Sequence, residues 1–115
     1  MSELKGLVSS IIIAEELARK TKKRHKGYTY SLEITVDKLT VIDLVSSEPH
    51  AKLISVTIYN DGDSDVYVSV NKYEKKAPLK PHETLNIKFD EPIIEKIFLD
   101  LDEGKSTTVR VFGLY

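Results

Sequence analysis

The chain has no cysteine, no tryptophan and no glutamine, and a single methionine. Without cysteine, disulfides, thiolate chemistry and cysteine-ligated zinc are excluded. A long apolar run is also missing. The longest, Ile11-Ile12-Ile13-Ala14, falls far short of the ~18 residues a membrane span requires. The cluster of basic residues follows this run, with only Lys5 ahead of it, so the start does not read as a secretory signal, and synthesis in the cytoplasm is expected. Serine-nucleophile signatures such as G-x-S-x-G are absent. The three histidines, His25, His50 and His82, have no partner at metal-ligand spacing and read as turn and surface residues. Nothing marks any pair of carboxylates as catalytic. The expectation is a protein that is not an enzyme and needs no cofactor.

What is present divides at Gly27. Residues 1–27 carry seven Lys/Arg and three Glu, a net of +4; residues 28–115 carry ten Lys/Arg and fifteen Asp/Glu, a net of −5. Before the break, Leu4, Leu7, Ile11, Ala14 and Ala18 step by three and four, and Val8 and Leu17 widen the stripe. Ser2 suits the start of a helix and Gly27 its stop. Ile12 and Ile13 lie off the stripe, so a second surface is expected to cover Leu4, Leu7, Val8, Ile11, Ile12, Ile13 and Leu17. Removing residues 1–26 should then reduce an oligomer and leave a folded body. The basic run Arg19, Lys20, Lys22, Lys23, Arg24 and Lys26 follows. It suits an acidic neighbouring subunit, or nucleic-acid phosphates. No aromatic residue is interleaved in it for base stacking.

After Gly27 the period changes to two. Tyr28 to Val36, Leu39 to Ser46, Ile54 to Tyr59, Val66 to Val70, Leu85 to Phe89, Ile97 to Leu101 and Thr107 to Tyr115 read as strands. The predicted fold is mainly β: a small β-sandwich or jelly-roll-like body of about seven strands over 28–115, behind an N-terminal helical arm over 1–27. Asn60-Asp61-Gly62-Asp63 between two alternating strands predicts a hairpin, with Gly62 supplying positive φ. Asp61, Asp63 and Asp65 resemble the start of a calcium loop, but Lys72 stands where the bidentate Glu belongs, so a hairpin tip is expected. Gly104-Lys105-Ser106 reads as a turn and not a phosphate loop, because Leu99 replaces the required glycine. Residues 72–83 form a long loop whose Lys72, Tyr73, Lys75, Lys76 and Lys80 are candidate contacts.

From Ile54 onward the chain resembles small phage and archaeal-virus structural proteins. The similarity is carried by Val56-Thr57-Ile58-Tyr59-Asn60-Asp61-Gly62, Asp65-Val66-Tyr67-Val68-Ser69-Val70-Asn71, Pro78-Leu79-Lys80-Pro81-His82-Glu83, Ile94 to Leu99, and Thr108-Val109-Arg110-Val111-Phe112-Gly113-Leu114-Tyr115. His82 departs from the pattern, which has glycine before the glutamate. The resemblance implies a virion β-sandwich module of minor capsid, connector or decoration type, self-assembling as a homo-oligomer with other structural proteins. Scarce labile residues beside 14 Lys, 10 Glu and 11 Ile suggest a thermophilic host. The alternatives are a carbohydrate- or peptide-binding sandwich using Tyr59, Tyr67 and Tyr73, and a nucleic-acid binder using the basic arm.

Overall fold

Alternation of buried and less buried residues marks most of the eight strands, and their pairing sorts them into two antiparallel sheets. The computed structural model describes residues 27–115. The strands are β1 (Thr29–Val36), β2 (Thr40–Asp43), β3 (Ser55–Asn60), β4 (Val66–Val70), β5 (Pro78–Leu79), β6 (Thr84–Lys88), β7 (Lys96–Asp100) and β8 (Thr107–Leu114). One sheet runs β1-β8-β3-β6 and the other β2-β7-β4-β5. Every connection except β4–β5 therefore crosses between sheets, which is the jelly-roll arrangement. The expected arm, with its apolar contacts Leu4 to Leu17 and its basic run Arg19 to Lys26, lies outside the described residues.

The core is the set of inward positions. Leu44, Leu53, Ile58, Ile94, Ile97 and Leu99 are fully buried, with Val36, Val56, Val66 and Val109. Each such side chain contributes about 1.5–3 kcal/mol relative to exposure. On β3 the buried positions are Val56, Ile58 and Asn60, and on β8 Thr107, Val109, Val111 and Gly113. Gly113 is fixed by close approach: a Cβ there would stand 2.6 Å from Leu53 Cδ1 and 3.0 Å from the Ser55 carbonyl oxygen.

The structure corrects the sequence reading in four places. Residues 54–71 are not a hairpin, because β3 pairs with β6 and β8 while β4 pairs with β5 and β7. Both strands bury a face, and each finds neighbours from distant sequence. Gly62 does not have positive φ. It is glycine because a Cβ would collide with the Thr107 hydroxyl and lie 2.6 Å from the Thr108 nitrogen. The strand expected to reach Ser46 ends at Asp43, whose carboxylate accepts hydrogen bonds from the Val45 and Ser46 N–H groups at 3.2 and 3.0 Å. The eighth strand, β5, sits inside the expected long loop and pairs only Val66 with Leu79 and Tyr67 with Pro78.

Candidate functional site

The most heavily wired point in the described residues is Asn60, at the crossing from β3 to β4. It is fully buried. Its Nδ2 donates to the carbonyls of Ser64 (2.8 Å) and Leu79 (2.9 Å). Its Oδ1 accepts from the Gly62 N–H (3.2 Å) and the Thr107 hydroxyl (2.6 Å). One amide thus uses both donors and both acceptor positions to tie β3, the 61–65 crossing, β5 and the start of β8. Its backbone carbonyl also accepts from the His82 N–H at 2.6 Å. The Pro81-His82 turn closes with Glu83 N–H on the Lys80 carbonyl at 3.0 Å, and His82 takes φ 66°. Proline followed by a left-handed residue is type II turn geometry, so histidine fills a position that favours glycine.

This crossing also carries the three aspartates, and Asp61 is held in place. Arg110 grips the Asp61 carboxylate through Nε and Nη2, and its guanidinium lies 4.4 Å from the Tyr59 ring centroid. The hydrogen bond from Arg110 holds the Asp61 carboxyl below the usual range and raises the guanidinium in turn. Asp63 and Asp65 line an open cleft of about 230 Å3 with Ser64, Asp102 and Lys105. No group of three or more His, Cys, Asp or Glu among the described residues is arranged to hold a metal ion. Gly104, with φ 81°, sits in a turn closed by the Lys105 N–H on the Asp102 carbonyl at 3.1 Å. His50 and His82 lie in connections at opposite ends of the sandwich.

The candidate contact loop lies against the outer face of the second sheet. The Tyr73 hydroxyl donates to Asp100 at 2.6 Å, and its ring meets Phe98 edge-on with centroids 6.0 Å apart. That hydrogen bond raises the Tyr73 hydroxyl and lowers the Asp100 carboxyl. Lys75 donates to the Leu101 carbonyl at 3.2 Å, pairs with Asp102 at 3.5 Å and sits over the Tyr67 ring. Lys76 pairs with Glu74 at 3.4 Å, and the Glu74 N–H donates to the Ser69 hydroxyl. Lys72 and Lys80 are exposed. Tyr59, Tyr67 and Tyr73 do not share a groove: Tyr59 lies on the outer face of one sheet, Tyr67 and Tyr73 on that of the other.

The feature missed in the sequence is the edge of the first sheet. Tyr28 and Tyr115 exchange backbone hydrogen bonds at 2.8 and 2.9 Å, which sets the phase of the β1–β8 ladder. Tyr30, Leu32, Ile34 and Val36 therefore bond to β8, while the N–H and C=O groups of Thr29, Ser31, Glu33 and Thr35 aim away from it. Beside this edge lies a cleft of about 370 Å3, lined by Thr29, Tyr30, Ser31, Glu48, Pro49, His50 and Tyr115. Partial burial raises the Tyr30 hydroxyl. Strand alternation located β1, but only the sheet order reveals that it stands at an edge.

No protein-family model matches the chain, and no curated protein matches it. Among solved structures it is similar to a conserved protein of unknown function from Pseudomonas aeruginosa PAO1, with TM-score 0.57 and 12% identity over 80% of this chain and 42% of that one. The chain therefore spans less than half the length of that protein. It is also similar to a de novo designed double-stranded β-helix, with TM-score 0.50 and 13% identity over 73% of this chain and 97% of the design. A third likeness is to PirA, with TM-score 0.50 and 17% identity over 75% and 94% of the two chains. These likenesses concern the fold, which carries no single activity.

Proposed function

We propose that the protein is a self-associating structural module that acts without catalysis, as a minor capsid, connector or decoration component of a virion. The observation that carries this reading is incomplete burial along β1. Tyr30, Leu32 and Ile34 point between the sheets yet remain half-buried against the core. β1 has eight residues, while β2, at the corresponding edge of the other sheet, has four. A body of this size buries a limited share of its surface, so association with further copies adds burial that the fold alone lacks.

Two further points support it. The buried hydrophobic side chains are all aliphatic, and the buried polar residues Asn60, Ser69 and Thr107 are engaged in hydrogen bonds that hold the fold. The jelly-roll order also recurs in viral capsid domains, as it does in lectins and cupins; this is an analogy of fold. The test is sedimentation equilibrium of the full chain at micromolar concentration. The reading expects a mass of at least two chains. A monomer at all concentrations would overturn it.

A further inference from the structure

The four edges of the two sheets differ in how they are guarded. β2 has four residues and stops at the Asp43 turn. β5 has two and begins with a proline. β6 ends at Lys88 and lies between Pro81 and Pro92. Short length, proline and charged side chains, lysine above all, are devices that keep sheet edges from pairing. β1 has only one of them, the single exposed charge of Glu33. It contains no proline and no lysine, and its eight residues pair with β8 without a bulge.

We propose that β1 is the interface with a second copy of this chain, joined edge to edge by an antiparallel β1–β1 ladder about a two-fold axis at Leu32. The inference rests on the self-association reading and names its surface. The outward backbone groups belong to Thr29, Ser31, Glu33 and Thr35, so only registers that pair these residues with one another form hydrogen bonds. Three such registers lie near full overlap. Setting Glu33 opposite its own copy places like charges face to face, which is unfavourable. Setting Ser31 opposite its own copy shortens the overlap at the Val36 end. The remaining register pairs Thr29 with Thr35 and Ser31 with Glu33, and places Leu32 opposite Leu32.

That register uses the whole strand. It forms about eight backbone hydrogen bonds between copies, two for each of the outward pairs. A typical stable interface carries ~10. Tyr30 and Ile34 then meet across the seam, with Leu32 between them. These are among the inward side chains that one copy leaves half-buried, as are Leu85 and Ile87 on β6, the edge that proline and lysine guard. Charge agrees with the geometry. Gly27, which follows the basic run Arg19–Lys26 in sequence, lies beside Asp37 of the second copy, at the end of the body where Asp63, Asp65 and Glu103 outnumber Lys38 and Lys105, Asp61 and Asp102 being paired with Arg110 and Lys75. At one end of the ladder, beside Thr29–Ser31, a cleft of about 370 Å3 is also lined by the Glu48–His50 turn.

The absence of cysteine makes the register directly testable in the full chain. Residues facing at Leu32 form a non-hydrogen-bonded pair with Cα atoms about 4.5 Å apart, within the 4.4–6.8 Å that disulfides span. Leu32→Cys is therefore expected to give a disulfide-linked dimer under mild oxidation, seen on a non-reducing gel. Ser31→Cys and Glu33→Cys place the thiols more than ~7 Å apart and should stay single-chain. Ser31→Glu should weaken the dimer roughly five-fold at low salt, and Ser31→Glu with Glu33→Lys should restore it. A wild-type dimer that is indifferent to Ser31→Glu, with no preferential crosslinking at Leu32, overturns this interface and leaves self-association standing. A wild-type monomer overturns both.

Discussion

Asn60→Ala should cost as much as truncating a fully buried core leucine, although it removes no apolar contact. The amide makes four hydrogen bonds from a fully buried position. Alanine leaves the Gly62 N–H, the Thr107 hydroxyl and the Ser64 and Leu79 carbonyls without that partner. Each bond is worth about 1 kcal/mol net, and an unsatisfied buried group costs about 1–3 kcal/mol. The loss should come to about 3–5 kcal/mol, a large part of the ~5–15 kcal/mol that holds a domain together. For a body of this size that corresponds to a fall in Tm of about 15–30 °C. Asn60→Asp keeps the shape but points a carboxylate at two carbonyls. Its native pKa must rise, so this variant should be most stable in acid and lose stability as pH rises through that raised value. Thermal melts followed by circular dichroism at pH 4 and pH 8 read both effects. A loss under about 1 kcal/mol for Asn60→Ala would refute the reasoning, because water would then be satisfying the crossing in place of the amide.

The other predictions address neighbouring features. Gly62→Ala and Gly62→Asn should lower Tm alike, since any Cβ meets Thr107 and Thr108; Asp63→Ala should change little, and an Asn variant that melts with wild type would contradict the steric account. Asp61 has a lowered native pKa, chiefly from the Arg110 hydrogen bond, so its contribution is present above the ordinary carboxylate value of ~3.9 and is lost as pH falls through the native one. Asp61→Asn should therefore flatten the acid limb of urea stability measured from pH 2 to 6, and an unchanged limb would remove Asp61 from it. Tyr73→Phe should raise the Asp100 carboxyl toward its usual range and speed hydrogen exchange at the Glu74 N–H; unchanged exchange would mean that the loop is held by its other contacts.

Much of the body was legible because its strands bury one face. Val56 and Ile58, Ile97 and Leu99, and Val109 and Val111 alternate in sequence as they do in burial. Pairing was less legible. Asp61-Gly62 suits a hairpin, yet the same residues serve a crossing between sheets, because the choice depends on the distant strands β6, β7 and β8. β5 escaped notice because two residues cannot display a period. His82 was a visible departure from the glycine pattern, and the backbone keeps its left-handed turn there all the same. Asn60 looked like a turn residue. Its role depends on Thr107 and Leu79, and no local pattern places them beside it. The edge position of β1 is a property of sheet order, invisible in the alternation that identified the strand.

Amide hydrogen exchange in the full chain, read residue by residue across a dilution series, tests the central claim most directly. In a free copy the N–H groups of Thr29, Ser31, Glu33 and Thr35 face away from β8, while those of Tyr30, Leu32 and Ile34 are bonded to it. Self-association through β1 predicts that the first four become protected as concentration rises and lose protection on dilution, with the second three protected throughout. Fast exchange at Thr29, Ser31, Glu33 and Thr35 at every concentration would contradict the account.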